Sequence, residues 1–318
     1  MKKFLTKILL LALLCALALG GLYLLTFRVA APQHRGLYTG AIPDKIQRLE
    51  TLEGPRIVLV GDSNLVFGIN SAMIEEAFQM PVVNLGGHGA LGKAFHINMA
   101  RRNVQPGDIM VVSNTSYADN GVVDAALMWA TVENNTDYRA MIPRESRYDM
   151  LKTLPKYMFK TIFLWLTGQG NQMEPDAYSR SAFNEYGDNV FPRPATTTFA
   201  FHSQIVQPPP ISEEGMELIN DFSDYCAQQG AYCVIVGNPV ACDEADPPLE
   251  AFEAFEQTLR QMARCEVISD FTDYLYHHTL FYDKPSHLTD DGVILRTQQL
   301  IEDLTVWMES HPEAKPAG

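Results

Sequence analysis

The feature that most limits the fold is a repeated handover from a short apolar run to glycine and then to a helical pattern. The β-branched run Ile57-Val-Leu-Val-Gly61 stops at Gly61 and passes the chain to Asp62, Ser63 and Asn64. Asn70-Ser71 then provides a cap for a helix through Phe78. Pro81-Val-Val-Asn-Leu-Gly86 reads as a second strand running into Gly86, Gly87 and Gly89, with a helix over about 91–103. Pro106-Gly107 turns the chain into a third strand, Asp108 to Asn114. After an interruption, Ser212-Glu-Glu caps a helix that Gly230 terminates, and Tyr232 to Gly237 forms a fourth strand. A helix over about 248–263, a short strand at Cys265 to Ser269 and a final helix over about 289–309 complete the pattern. Strands alternating with helices in this way predict an α/β fold with a mainly parallel sheet and right-handed crossovers.

Between Tyr117 and Pro210 the rhythm stops. Helical stretches near 121–133 and 147–166 are followed by an irregular segment rich in Asn, Gly, Pro and aromatics. A stretch this long without strand pattern predicts an insertion, at about 117–210, over the carboxyl edge of the sheet. A helical layer over the core is the alternative, and Leu151, Leu154, Met158, Ile162 and Trp165 fit it for the second helix.

Ile8 to Phe27 carries no charged residue. At about 1.5 Å per residue, such a helix spans roughly the 30 Å of a bilayer core. Lys2, Lys3 and Lys7 precede it, which predicts that residues 1–28 are a cytoplasmic stub and a transmembrane signal anchor, with the remainder exported. A cleaved signal peptide ending at Ala16-Leu-Ala18 is the competing reading, and the apolar extension Leu22 to Phe27 favours a retained anchor. Leu14 before Cys15 is too large for a lipoprotein signal. Residues 29–55 are polar and contain proline, as a stalk would; 56–310 form the folded domain and 311–318 a tail.

The 318 residues include 24 basic and 38 acidic side chains, and four of the basic ones lie in the first 28 positions. The remainder is strongly acidic, the opposite of what a nucleic-acid partner requires. No Cys-x-x-Cys spacing suggests zinc, and no pattern calls for a metal or an organic cofactor. Cys226, Cys233, Cys242 and Cys265 allow three pairings in an exported domain. Cys233 and Cys265 begin strands expected to be neighbours, so a Cys233–Cys265 disulfide is the easiest to close.

Ser63 lies where a strand ends and a helix begins, so unpaired backbone N–H groups surround it. That position suits a nucleophile whose attack creates an oxyanion. Of the eight histidines, His34 lies in the expected stalk, His311 in the tail and His96 on a helical pattern. His287 is different: Phe281-Tyr-Asp-Lys-Pro-Ser-His287 is a loop just before the final helix, and it also carries Asp283. A doubly wound sheet gathers its strand-end loops at one edge, which can bring Asp283 and His287 to Ser63. An imidazole to take the serine proton, with a carboxylate to hold its tautomer, is the requirement of acyl transfer.

These blocks together resemble the SGNH (GDSL) hydrolase superfamily, over about 57–115 and 212–308. Gly61-Asp-Ser-Asn64 is similar to its first block, and Val83-Asn-Leu-Gly-Gly-His-Gly89 to its second. Ser113-Asn114 stands at the third, without the family's preceding glycine. Asp283 to His287 stands at the fourth, with one residue more than the family's spacing. The resemblance implies a three-layer α/β/α sandwich with a flavodoxin-like parallel sheet. It also implies a Ser63–His287–Asp283 triad, and an oxyanion hole from Ser63, Gly89 and Asn114. Phe183-Asn-Glu-Tyr-Gly-Asp188 and His287-Leu-Thr-Asp-Asp-Gly292 resemble a membrane-anchored bacterial subgroup. That subgroup is distantly similar to the teichoic-acid D-alanyl transfer protein and to alginate O-acetyltransferases. It implies ester chemistry on extracytoplasmic glycans or lipids, by hydrolysis or transfer, and leaves room for a membrane-bound acyltransferase partner. Asn64, His88, Asn184 and Asp188 are candidate substrate contacts, with a structural turn as the alternative for the Asn184 loop. A non-catalytic protein of the same fold, binding or assembling envelope polysaccharide, is the rival reading.

Overall fold

β1 (Ile57–Gly61) is buried at every position, which is why it reads as a continuous apolar run instead of an alternating one. In the computed structural model, which describes residues 2–118, 123–133, 135–195, 206–243 and 247–315, it is an inner strand of a parallel sheet. Its partners are β2 (Val82–Asn84) on one side and β3 (Ile109–Ser113) on the other. β4 (Tyr232–Ile235) pairs with β3, the pair β5 (Val240–Cys242) follows in sequence, and β6 (Glu266–Val267) extends the main sheet from β4. The order is therefore β2-β1-β3-β4-β6. β5 joins β7 (Leu275–His277) in a separate parallel pair, which the apolar pattern did not reveal because each strand has only three residues.

Alternate strand residues feed two apolar clusters. Val58, Val60, Met110, Val112 and Ile235 face one, and Ile57, Leu59, Ile109, Val111 and Val234 face the other. Helices cover both. The membrane-type helix α1 (Lys2–Leu24) stands apart, while α2 (Ile42–Thr51) adds Ile42, Ile46 and Leu49 to the first cluster. The short α3 (Ser63–Val66) and α4 (Ser71–Phe78) lie between β1 and β2, and α5 (Lys93–Ala100) lies between β2 and β3. The insertion contains α6 (Ala125–Val132) and α7 (Arg147–Thr167), close to the expected spans. α8 (Glu213–Gln228) and α9 (Leu249–Met262) complete the first layer, with Phe222 and Phe252 in its core. α10 (Asp290–Ser310) covers the second cluster with Leu300, Leu304 and Trp307.

Residues 29–55 are not a stalk. α2 carries apolar residues at Ile42, Ile46 and Leu49, one helical stripe, and buries them. Its Lys45 is buried too, with Nζ donating to the carbonyls of Asn84, Gly86 and Gly187 at 3.0, 2.8 and 2.6 Å. Arg56, fully buried, donates to the carbonyls of Leu49, Leu52 and Asn103 and pairs with Asp108 at 2.6 Å. Burial pushes the Lys45 ammonium down to about 7.

The helix from Lys2 to Ala30 is long and apolar enough to cross a membrane, and its most apolar stretch is unburied. Its last turn is π-helical, Leu25–Ala30, and there Thr26, Phe27 and Ala30 are buried against the domain. The expected Cys233–Cys265 disulfide is not formed. All five cysteines are free thiols.

The Arg56–Asp108 pair links α2 to the strand starts. Asp108→Ala should lower stability by about 3–5 kcal/mol, because it strands a buried guanidinium. A urea midpoint close to that of the wild type would contradict this role.

Candidate active site

Gly61 must be glycine, because a Cβ there would come within 1.9 Å of the Ser113 carbonyl. This close approach sets the ends of β1 and β3 side by side, with Gly61 registered against Ser113. Asp62 follows in extended conformation and caps α3, accepting a hydrogen bond from the Asn64 amide at 2.9 Å. Its second oxygen accepts from the Thr115 amide and hydroxyl at 2.8 and 2.6 Å. Ser63 is thus the first residue of α3.

His287 reaches it from the loop before α10. His287 Nε2 lies 2.9 Å from Ser63 Oγ, and Nδ1 lies 2.8 Å from Asp283 Oδ1. With Asp283 accepting the Nδ1–H, Nε2 is left as the acceptor for the serine hydroxyl. Asp283 and His287 are joined by a tight turn. The Tyr282 amide donates to the His287 carbonyl at 2.7 Å, and the His287 amide donates to the Lys284 carbonyl at 3.1 Å. Sequence reasoning thus named all three residues, and the structure brings them together.

Two aromatic residues contact the His287–Asp283 pair. The Phe67 ring stacks on the imidazole, centroids 4.0 Å apart and planes within 5°. The Tyr178 hydroxyl, from the insertion, donates to Asp283 Oδ2 and lies 3.3 Å from His287 Nδ1. Burial lowers the His287 pKa, the Lys284 charge adds to this, and the Asp283 hydrogen bond and charge oppose it; the net shift is downward. Burial would raise Asp283, but the hydrogen bonds from His287 and Tyr178 outweigh it and hold the carboxyl below its usual range. The site therefore holds a neutral imidazole beside an ionised carboxylate at neutral pH.

The oxyanion candidates lie at the same edge. Neither the Ser63 nor the Gly89 amide donates to an acceptor among the described residues. A Cβ on Gly89 would touch only Asp62 Cβ, 3.9 Å away, so Gly89 borders the Ser63 turn with open space before it. Asn114 directly follows β3 and is buried.

Three of the four candidate substrate contacts are structural instead. Asn64 is fully buried. Its Nδ2 donates to Asp62 at 2.7 Å and the Ser113 carbonyl at 3.0 Å, and its Oδ1 accepts from Arg296 at 2.6 Å. Asn184 Oδ1 accepts from the amides of Tyr186, Gly187 and Asp188 and closes a turn. Asp188 is buried, accepting from the Ser71 amide and hydroxyl and from Asn84 Nδ2 at 2.7, 2.6 and 2.8 Å. His88 is half-buried and edge-on to Tyr38, and its Nδ1 accepts from the Ala90 amide at 3.1 Å.

Arg296 was missed, although its signal was present. It sits between Val293 and Leu300 on the buried stripe of α10, a cation where an apolar residue is the norm. It donates to the Asn64 carbonyl and side chain, to Ser113 Oγ at 3.1 Å and to the Gly237 carbonyl at 3.3 Å. Tyr178 carried no such signal, being one tyrosine of thirteen in an irregular segment. Among the described residues no three His, Cys, Asp or Glu side chains converge as a metal site. The chain matches no protein-family model, no curated protein and no solved structure.

NMR titration of the His287 imidazole should give a midpoint below the usual 6.5. The neutral, proton-accepting form then persists through neutral pH and is lost on acidification; a midpoint above 7 would contradict the balance described.

Proposed function

We propose that this chain is a membrane-anchored serine esterase or O-acyltransferase of the SGNH type, with its helices and sheet stacked as a three-layer α/β/α sandwich. The observation that carries this is the hydrogen-bonded series from Ser63 Oγ through His287 to Asp283. Further support comes from the strand order and from unpaired amides beside the serine. The span at the amino terminus, with lysines before it, supports a domain held on the extracytoplasmic side of a bacterial membrane. Acyl esters of envelope glycans or lipids are the substrates that such a location presents.

Ser63 Oγ attacks the ester carbonyl while its proton passes to His287 Nε2. The new oxyanion is received by the Ser63 and Gly89 amides and the Asn114 side chain. Collapse breaks the bond to the alcohol, which leaves with the proton from His287, and Ser63 keeps the acyl group. Water or a sugar hydroxyl then gives its proton to His287 and attacks the acyl-enzyme; as the bond to Ser63 Oγ breaks, His287 returns that proton to Ser63. Asp283 holds the imidazole tautomer and stabilises the imidazolium in both halves. Hydrolysis and transfer differ only in that second nucleophile.

Purified full-length protein should cleave short-chain nitrophenyl esters. Ser63→Ala and His287→Ala should each lower kcat/KM by at least about a thousandfold. Asn114→Ala should cost roughly 10²–10³ in kcat if it donates to the oxyanion. Wild-type cleavage no faster than that of Ser63→Ala would favour the non-catalytic reading. Acyl product appearing on an added glycan would mark a transferase.

A further inference from the structure

The insertion helix α7 has two apolar faces, and only one of them is used inside the protein. Met150, Tyr157, Met158 and Thr161 are buried. On the opposite side Tyr148, Leu151, Phe159, Phe163 and Leu166 recur at helical spacing, each between 59% and 71% exposed, and Trp165 at their edge is 40% exposed. A row of large apolar side chains like this marks a surface that meets something other than water.

What it meets is indicated by its neighbour. The inner face of α7 packs on the end of the apolar amino-terminal helix: Tyr157 stacks on Phe27, centroids 5.7 Å apart, and on Trp129 at 5.6 Å. The Arg139 guanidinium lies over the same group, 4.5 Å from the Phe27 ring and 5.8 Å from that of Tyr23. Where α1 leaves a bilayer, α7 is therefore one side-chain layer away. Its composition suits that level. Lys152, Lys156 and Lys160 follow one flank at four-residue steps, and Arg147 precedes them. Against these stands only Asp149, in a chain whose formal net charge is −14. Aromatics with flanking lysines are what an interfacial helix presents, its rings among the acyl chains and its ammonium groups among the phosphates.

We propose that α7 lies in the headgroup layer of the bilayer that α1 crosses, so that the domain is held by a span and by a surface helix together. The proposal rests on α1 being a membrane span and is independent of the ester chemistry. Its partner is a phospholipid surface, which the lysines would favour when the lipids are anionic. The second contact restricts tilting of the domain about the anchor and keeps one side of it against the membrane.

The test uses the full chain in phosphatidylcholine–phosphatidylglycerol vesicles. Of three tryptophans, Trp129 and Trp307 are buried and Trp165 is exposed. Lipids brominated near the headgroup should quench the wild type, and Trp165→Phe should remove at least half of that quenching. Aqueous iodide should quench Trp165 in a Phe159→Glu/Phe163→Glu variant, and much less in the wild type. A Trp165 open to iodide and untouched by brominated lipid would overturn the proposal. So would a Trp165 shielded from both, with cross-linking between chains, since the face would then belong to a second copy. If the protein fails to float with vesicles after alkaline washing, α1 is no anchor and the proposal falls with it; flotation without bromolipid quenching refutes α7 alone.

Discussion

One carboxylate, Asp62, joins the ends of two strands and presents the serine between them. Its four hydrogen bonds, two from Asn64 and two from Thr115, use both oxygens. Bonds to a charged acceptor are worth about 1.5–3 kcal/mol each, enough to hold the turn between β1 and α3 in one geometry. From the other side, Arg296 of α10 grips Asn64, Ser113 and the Gly237 carbonyl. Burial pulls the Arg296 pKa down to about 10, still well above neutrality, so the guanidinium remains charged in the core. The same helix α10 begins just after His287, so Arg296 also ties the histidine loop to the serine turn. Ser63 Oγ is left with His287 as its partner.

This explains which parts of the molecule could be read from the chain. The strands β1, β2 and β3 were legible because burial on both faces makes them uninterrupted apolar runs, and the short β5–β7 pair was not. Ser63 and His287 were legible because each sits at a strand or helix boundary, where a reactive side chain can face outward. The polar residues around them were misjudged. Asn64 lies beside Ser63 and Asn184 and Asp188 lie in the separate Phe183–Asp188 stretch, but the bonding capacity of each is consumed inside the fold, Asn64 by Asp62, the others by backbone amides. A motif reports that a polar residue is needed and not which partner it meets. Residues 29–55 misled for another reason, since proline and charge mask the single stripe through which α2 packs. Tyr178 reaches Asp283 from more than a hundred positions away, and no local pattern encodes that contact.

The insertion has two ends with different work. Its carboxyl-terminal part returns to the sheet edge, where the Asn189 amide bonds the Val66 carbonyl and the Tyr178 hydroxyl bonds Asp283. Its amino-terminal part packs α6 and α7 on the last turn of the apolar helix. One segment thereby connects the part of the domain packed on the apolar helix to the Ser63–His287–Asp283 group.

The nucleophilic character of Ser63 is the central claim, and covalent capture tests it most directly. Full-length protein treated with a fluorophosphonate at neutral pH and mapped by mass spectrometry should carry the adduct on Ser63. The His287→Ala variant should label far more slowly. An unmodified Ser63 under conditions that label a reference serine esterase, or an adduct on another serine, would contradict the account.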